Sequence, residues 1–258
     1  MNKAKLITTV LSGGSGYPTP AQYGNQTGHW DASKWATSLY TDAAGTTLAT
    51  AQDQLIYRLG DLSGNGRNMD RYSIDGYRGQ LKLNVQNGLA GVLNQTATDM
   101  AYQSTFMSNF FTSTEKVAFC VVKNFTVDTD NGTTYNNDSI LTSSNAFWGV
   151  TVRSSGPVYQ YNYGGGQTPS GITLANNVAA VITAWHTGGN LYLQKNNGAP
   201  ASIATTATTN MTGLLGIFGT YSAYHSRGYI LEVSVHNAYN AAAHQNTILG
   251  LMQKWGIS

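Results

Sequence analysis

Acidic side chains are the first residues to examine for chemistry, because a glycosidase needs two carboxylates facing each other across the scissile bond. The sequence contains only two glutamates, Glu115 and Glu232, and they stand far apart in the chain. Asp128 and Asp130 lie in a turn-like segment, and no Asp-x-Asp pair falls in an expected strand. The sequence therefore predicts no catalytic carboxylate pair, and we expect a protein that is not an enzyme.

Histidine and cysteine offer the next options for chemistry. His186 with Tyr192 and Arg153 imitates the groups that polysaccharide lyases place around a sugar acid. A packed residue at a strand end is the simpler interpretation of His186. Cys120 lies in the apolar run 116–122, which is typical of a buried strand, so a small core residue is the expected role.

One loop resembles the start of a calcium site. Asp61, Ser63 and Asn65 place oxygen atoms at alternating positions before Gly66, as calcium loops do. The glutamate expected at the twelfth position is replaced by Tyr72, and Ser-Gly and Asn-Gly pairs also form ordinary turns. No pair of histidines has the spacing of a zinc site. A structural turn is favoured over a calcium loop, and we expect no metal and no cofactor.

Aromatic residues are the remaining signal for binding. Tyr159, Tyr161 and Tyr163 alternate along one segment, so their rings belong to one face of a strand. If that face is open, it forms a platform on which a sugar can stack, and we add Trp148 and Trp185 as candidate carbohydrate-binding residues. If the face is internal, the same rings serve the core or a protein interface.

The composition limits the classes of partner. Hydrophobic residues make up 41%, enough for a core, whereas charged residues make up only 10%, against about 25% in an ordinary domain. The positive charges are scattered, so the basic patch that nucleic-acid binding needs is missing. The surface must consist of uncharged polar residues and tyrosines, which bind neutral partners such as sugars or other protein shells.

Short apolar or alternating segments separated by turn residues predict an all-β sandwich that positions these side chains. Asn240 as an N-cap, an apolar stripe through Ile248 to Trp255, and Gly256 as the terminating residue predict one C-terminal helix. The predicted strands are Gln54–Leu59, Gln80–Val85, Gly91–Asn94, Lys116–Lys123, Ser139–Thr142, Phe147–Arg153, Val158–Tyr163, Val178–His186, Asn190–Asn196, Leu214–Thr220 and Gly228–Asn237.

The first 28 residues differ from the rest. The segment 12–16 has a linker composition, and 17–20 is expected to be extended, so we interpret residues 1–28 as an arm and residues 29–258 as one domain. The apolar stretch near Met1 is too short for a signal peptide, and no run approaches the length of a membrane helix. We therefore expect no membrane association.

Several motifs resemble, in the same order, those of laminin G-like domains in the concanavalin A-like lectin/glucanase superfamily, common in phage and bacterial proteins. The resemblance implies a jelly roll of two stacked antiparallel sheets, with Glu232 as a structural residue, and it does not imply an activity. The matching segments are His29-Trp-Asp-Ala-Ser33, Gly60–Asn68, Asn87–Leu93, Lys116–Lys123, Ala184–Leu193, Gly228–Ala238 and Gln253-Lys-Trp-Gly-Ile257.

These observations lead to a ranked functional expectation. The first is a non-enzymatic phage virion protein, a capsid decoration or a tail or fibre component, located on the virion and forming homo-oligomers. The arm over residues 1–28 would bind other virion proteins, and weak binding of cell-surface glycans would gain avidity from multiple copies. The alternative is a stand-alone lectin-type module that binds carbohydrate. A hydrolase or lyase ranks third.

Overall fold

The structure is a computed structural model, and two β-sheets facing each other dominate it. It describes residues 19–72, 79–94, 101–104, 115–124, 138–143, 149–152, 157–161, 167–204, 215–218 and 227–258.

Among the described residues, each sheet has nine strands, and the strand pairs are antiparallel. Sheet A contains β1 (Gln26–Asp31), β3 (Leu55–Ile56), β6 (Gly79–Gln86), β7 (Leu89–Asn94), β9 (Lys116–Asn124), β14 (Val178–Thr187), β15 (Asn190–Lys195), β16 (Ala201–Ala204) and β18 (Gly228–His236). Sheet B contains β2 (Leu39–Tyr40), β4 (Arg58–Leu59), β5 (Met69–Tyr72), β8 (Ala101–Ser104), β10 (Asp138–Ser143), β11 (Gly149–Val152), β12 (Pro157–Tyr161), β13 (Gln167–Thr173) and β17 (Leu215–Ile217).

The order of the strands differs from their order in the chain. Sheet A runs β16-β15-β14-β9-β18-β7-β6-β3, and β1 pairs with β18. Sheet B runs β13-β12-β11-β10-β17-β8-β5-β4-β2. The prediction of an all-β sandwich with two antiparallel sheets is therefore confirmed.

Strand β9 shows why the centre of sheet A is so apolar. Ala118, Cys120 and Val122 belong to the core between the sheets, whereas the alternate residues Val117 and Phe119 pack on the opposite face. A strand covered on both faces needs apolar residues at successive positions, which explains the continuous run. Burial raises the pKa of the Cys120 thiol to about 12, consistent with a packing role.

A helix covers the outer face of sheet A. Helix α2 (Ala241–Trp255; α1 is the single turn Trp35–Ser38) begins where Asn240 Oδ1 accepts the amide N–H of Ala243 at 3.2 Å. It ends at Gly256, whose φ of 60° is left-handed. The predicted C-terminal helix is thus confirmed. No helix among the described residues is both long and apolar enough to cross a bilayer.

The segment before β1 is packed against this helix. Pro20–Tyr23 forms a 3₁₀ helix, as does Ala32–Lys34 after β1. Tyr23 is buried, and its hydroxyl accepts the amide N–H of Asn240 at 2.7 Å. Residues 19–28 therefore lie on the sandwich, while 1–18 are outside the described residues, and the division into an arm and a domain stays a prediction.

The packing of α2 on sheet A is open to a direct test. Leu251 is 1% exposed between the helix and the sheet, so Leu251→Ala should lower the free energy of unfolding by about 2–5 kcal/mol. Leu62→Ala is the control, because Leu62 is 38% exposed and should change stability by less than about 1 kcal/mol. Urea unfolding measures both, and equal losses would contradict this packing.

Candidate functional site

A β-bulge in β18 brings the buried glutamate to the helix. The register between β18 and β9 shifts between Ile230 and Glu232, and Ile230 faces the core between the sheets. After the shift, Val233 faces that core, so Glu232 lies on the outer face beneath α2. The bulge thus places a carboxylate where the helix can contact it.

Glu232 and four other side chains, His29, Asp31, Lys254 and Trp255, form one connected set across three segments, and we call them the Glu232 network. Glu232 Oε1 lies 2.9 Å from Nε2 of His29, and Oε2 accepts hydrogen bonds from Lys254 Nζ at 2.6 Å and Trp255 Nε1 at 2.8 Å. Lys254 Nζ also donates to Asp31 Oδ2 at 2.6 Å. Glu232 is only 1% exposed, so this is a buried charge whose acceptors are satisfied.

The charges in the network stabilise one another. Burial alone raises the pKa of Glu232, but the hydrogen bond from His29 and the charge of Lys254 together hold that pKa below its ordinary value. Burial lowers the pKa of Lys254, and the carboxylates of Glu232 and Asp31 more than offset this and raise it. The carboxylate and the ammonium are therefore both ionised at neutral pH.

The same cluster has the residues of a metal site and of a carboxylate pair. His29, Asp31 and Glu232 present ligand atoms that all lie within 4.8 Å of one another. The ammonium of Lys254, however, lies 2.6 Å from an oxygen of each carboxylate, in the position a cation would take. Both carboxylates are also buried, so a sugar cannot reach them as it reaches a glycosidase pair. The arrangement is that of a structural ion network.

The calcium-like loop is a turn that holds β1. Asp61 Oδ1 accepts the amide N–H groups of His29 at 3.0 Å and Ser63 at 2.9 Å. Its Oδ2 accepts the Ser63 hydroxyl at 2.8 Å and the amide N–H of Arg67 at 2.9 Å. Four donors thus surround the carboxylate, the pattern of an Asx turn, and the loop is tied to the strand that carries His29.

Three aromatic rings stack in parallel on the outer face of sheet A, and we call them the aromatic stack. The ring of Trp185 lies 5.0 Å from that of Tyr192 at an angle of 8°, and 5.7 Å from that of Tyr239 at 4°. Strand β15, which carries Tyr192, lies on one side of β14, and Tyr239 follows β18 on the other side. Trp185 is therefore buried between two tyrosines that are each partly exposed.

Polar side chains border the aromatic stack. Ser202 is the register partner of Tyr192, and Thr187 pairs with Asn190 two residues beyond the Trp185–Tyr192 pair, on the same face. Ser202 is exposed, and the other two are partly exposed. A surface with aromatic rings and neighbouring hydroxyl and amide groups can contact both the C–H face and the hydroxyls of a sugar.

Two buried histidines, His236 of β18 and His244 of helix α2, lie on the outer side of sheet A, and His244 contacts the aromatic stack. His244 is 4.4 Å from the Trp185 ring, and His236 Nδ1 is 2.9 Å from the Gly24 carbonyl. Burial lowers the pKa of each histidine to about 4. Both are therefore neutral at pH 7, and neither adds a charge between helix α2 and sheet A.

The five residues predicted to bind carbohydrate are not all brought together. Trp185 is in sheet A, whereas Tyr159 and Tyr161 are in β12 of sheet B. Tyr163 and Trp148 lie outside the described residues, as do the side chains of Tyr159 and Tyr161. The tyrosine platform in sheet B stays a prediction. Sequence reasoning missed Tyr239 as a partner of Trp185, because it lies in a different part of the chain.

The lyase-like group is not assembled. Trp185 pairs with Tyr192, and His186 pairs with Leu191, whose side chain is in the core between the sheets. His186 and Tyr192 therefore lie on opposite faces of sheet A. Arg153 is outside the described residues. The interpretation of His186 and Tyr192 as parts of one lyase-like site is wrong.

Comparison with known proteins gives a fold and no sequence family. No protein-family model and no curated protein matches the sequence. Domain 4 of AbnA, an extracellular GH43 arabinanase from Geobacillus stearothermophilus solved with arabinotriose, aligns with a TM-score of 0.58 at 11% identity, over 88% of this chain and 98% of that chain. An arabinofuranosidase complexed with arabinofuranosyl-α-1,2-xylobiose aligns with a TM-score of 0.57 at 11% identity, over 88% of this chain and 62% of the arabinofuranosidase chain.

A sialidase from Trypanosoma rangeli, in complex with the inhibitor DANA, aligns with a TM-score of 0.59 at 7% identity. This chain is covered completely but spans only 40% of the sialidase. Similarity at these identities shows the fold alone. The β-sandwich that the resemblance implied is confirmed, and membership of the concanavalin A-like superfamily stays a prediction.

The Glu232 network predicts a large effect of removing one charge. Glu232→Gln leaves Lys254 buried with Asp31 alone, so the free energy of unfolding should fall by about 3–5 kcal/mol. The control Glu115→Gln changes the other glutamate, which is exposed and accepts a hydrogen bond from Thr187, and should cost less than about 1 kcal/mol. Urea unfolding at pH 7 compares them, and a loss below about 1 kcal/mol for Glu232→Gln would refute the network.

The histidine pKa values predict acid sensitivity. Above pH 6.5, His236 and His244 are neutral in both folded and unfolded chains, and their contribution to stability is fully present. As the pH falls from 6.5 toward 4, the unfolded chain takes up protons that the folded one excludes, so stability should drop by about 3 kcal/mol for each of the two histidines. Thermal unfolding across this range should show a shallower decline for His244→Phe, and an unchanged decline would contradict the assignment for His244.

Proposed function

We propose that this chain is a non-catalytic carbohydrate-binding module of the β-sandwich type. The observation that carries the proposal is the aromatic stack, which exposes Tyr192 and Tyr239 beside polar side chains. The fold supports it, because the aligned arabinanase domain matches over 98% of its length and was solved with arabinotriose. This agrees with the lectin-type alternative predicted from the sequence.

The stack is suited to binding because it is held rigid. Trp185 is 4% exposed and contacts His244 of the helix, so both tyrosine rings rest on a fixed surface. A rigid ring loses little conformational entropy when a sugar stacks on it, and more of the contact energy therefore appears as affinity. Ser202, Thr187 and Asn190 supply hydrogen bonds to hydroxyls at the border of the rings.

The state of the carboxylates supports binding rather than hydrolysis. Glu232 and Asp31 are buried and bonded to Lys254, so neither can act as a general acid or nucleophile toward a sugar. Glu115 is exposed, but a glycosidase needs a second carboxylate across the bond. The expectation of a non-enzymatic protein therefore remains part of the proposal.

The virion assignment has no support from these comparisons. The similar structures described above are an arabinanase domain, an arabinofuranosidase and a sialidase, and none is described as a virion protein. The virion location, the attachment through residues 1–28 and the homo-oligomer stay predictions from the sequence.

A binding experiment with arabinotriose tests the proposal. Tyr192→Ala and Tyr239→Ala should each weaken binding at least about tenfold, because each removes a ring from the stack. Trp185 is left intact, since its burial would make loss of binding and loss of folding inseparable. Isothermal titration calorimetry gives the affinities, and circular dichroism confirms that both variants fold.

Tyr161→Ala is the matched comparison, because it removes a tyrosine from sheet B and should leave binding unchanged. If Tyr161→Ala abolishes binding and Tyr192→Ala does not, the platform belongs to sheet B and the stack is not the site. If the wild-type protein binds neither arabinotriose nor any sugar of a glycan array, the proposed function is wrong.

A further inference from the structure

A carboxylate borders the aromatic stack on the outer face of sheet A. Strand β9 runs beside β14, and Val117 of β9 pairs with Trp185 of the stack. Glu115 precedes Val117 by two residues, so it belongs to the same face, and its side chain is exposed. Its Oε1 accepts the hydroxyl of Thr187 at 3.1 Å. Because Thr187 follows Trp185 by two residues, this carboxylate lies about 7 Å along the strands from the row of the stack.

The segment that carries Tyr239 also lies near this carboxylate. The hydroxyl of Tyr23 accepts the amide N–H of Asn240, the residue after Tyr239, at 2.7 Å. Burial is the main cause of the raised pKa of Tyr23, and the negative charge of Glu115 adds to the rise, so the two groups are near each other. Sheet A orders β14, β9 and β18, and Tyr239 follows β18. Glu115 therefore lies between the strand of Trp185 and the strand that leads to Tyr239.

The other side chains on this face favour a cation over an anion. Lys116 follows Glu115 directly, but the alternation of the strand places Lys116 on the opposite face, with Ala118 of the core. The two buried histidines beneath helix α2 are neutral at pH 7. The polar border described above consists of uncharged residues, Thr187, Asn190 and Ser202. The field that these described residues produce at the stack is therefore negative.

The rings of the stack add to the attraction for a cation. The face of an aromatic ring carries partial negative charge and attracts a cation within about 6 Å of its centre. Tyr192 and Tyr239, at the two ends of the stack, each have a partly exposed ring. A ligand group with a positive charge therefore gains from both the rings and Glu115, whereas an anionic group is repelled.

We propose that the aromatic stack prefers sugars that carry an ammonium group, such as a glucosamine chain. The sugar stacks on the tyrosine rings, and its ammonium lies beside the carboxylate of Glu115. The inference rests on the proposed carbohydrate-binding function and adds the class of sugar. Glu115 is then a residue that determines specificity, because it distinguishes an amino sugar from a neutral or an acidic one.

Calorimetric titration with the β-1,4-linked trimer of glucosamine and with cellotriose tests the preference. The two sugars differ at one position of each ring, which carries an ammonium in the first and a hydroxyl in the second. At about pH 6, where amino groups are protonated, the glucosamine trimer should bind the wild-type protein at least about fivefold more tightly. Raising the sodium chloride concentration from about 20 to about 300 mM should reduce this ratio, because only the ionic part of the contact is screened.

Glu115→Gln removes the charge and keeps the size of the side chain. The ratio of the two affinities should fall at least about threefold, because only the rings then attract the ammonium. Asp53→Asn is the matched control and should keep the wild-type ratio. Asp53 is exposed and is bonded to Lys82 of β6, near the edge of sheet A that is farthest from β15.

Several results would overturn the inference. They are equal binding of the two trimers by the wild-type protein, a ratio that Glu115→Gln leaves unchanged, or a Tyr239→Ala variant that binds the glucosamine trimer as tightly as the wild type. Tetramethylammonium chloride competing at the same concentration as the glucosamine trimer would also overturn it, because it would mean a simple cation site. If Glu115→Gln does not fold, the ratio and its salt dependence in the wild-type protein decide the question.

Failure of this inference and failure of the proposed function give different results. Binding of arabinotriose or cellotriose without a preference for the glucosamine trimer refutes the preference and leaves the proposed function standing. If none of these sugars binds, the inference fails together with the site on which it rests.

Discussion

The buried contact between Glu232 and Lys254 is the constraint on which the outer face of sheet A depends. It joins β18 to the last turn of helix α2, and through Asp31 and His29 it also holds β1. An unpaired charge in this position would cost several kcal/mol, so the three segments are stable only together. The residues involved are far apart in the chain, in the segments around His29, Glu232 and Lys254, and only the fold brings them together.

The position of the helix determines what the surface can bind. With its last turn held at Glu232, helix α2 places His244 of its first turn against Trp185. Trp185 in turn supports the rings of Tyr192 and Tyr239. A structural ion network at one end of the helix thus supports a rigid aromatic surface at the other. Glu232 and Asp31 hold the fold together and are not available as a catalytic pair, which fits the proposed binding function.

The sequence predicted those elements whose signals are local. The predicted strands all overlap observed strands, and the N-cap Asn240 and Gly256 marked the helix. Strands without a clear apolar pattern, such as β2 and β16, were missed because they have few residues in a buried face. The stack could not be predicted, since Tyr192 and Tyr239 meet Trp185 only through the strand order of sheet A. The bulge in β18 is likewise set by packing and has no local signal.

The indole N–H signals of the tryptophans, followed by ¹H–¹⁵N NMR as arabinotriose is added, test the central claim most directly. Trp185 lies between the two tyrosines of the proposed site, whereas the indole N–H of Trp255 is bonded to Glu232 inside the protein. The account predicts that the Trp185 signal shifts progressively with arabinotriose and that the Trp255 signal stays in place. A Trp185 signal that remains fixed while arabinotriose binds would contradict it.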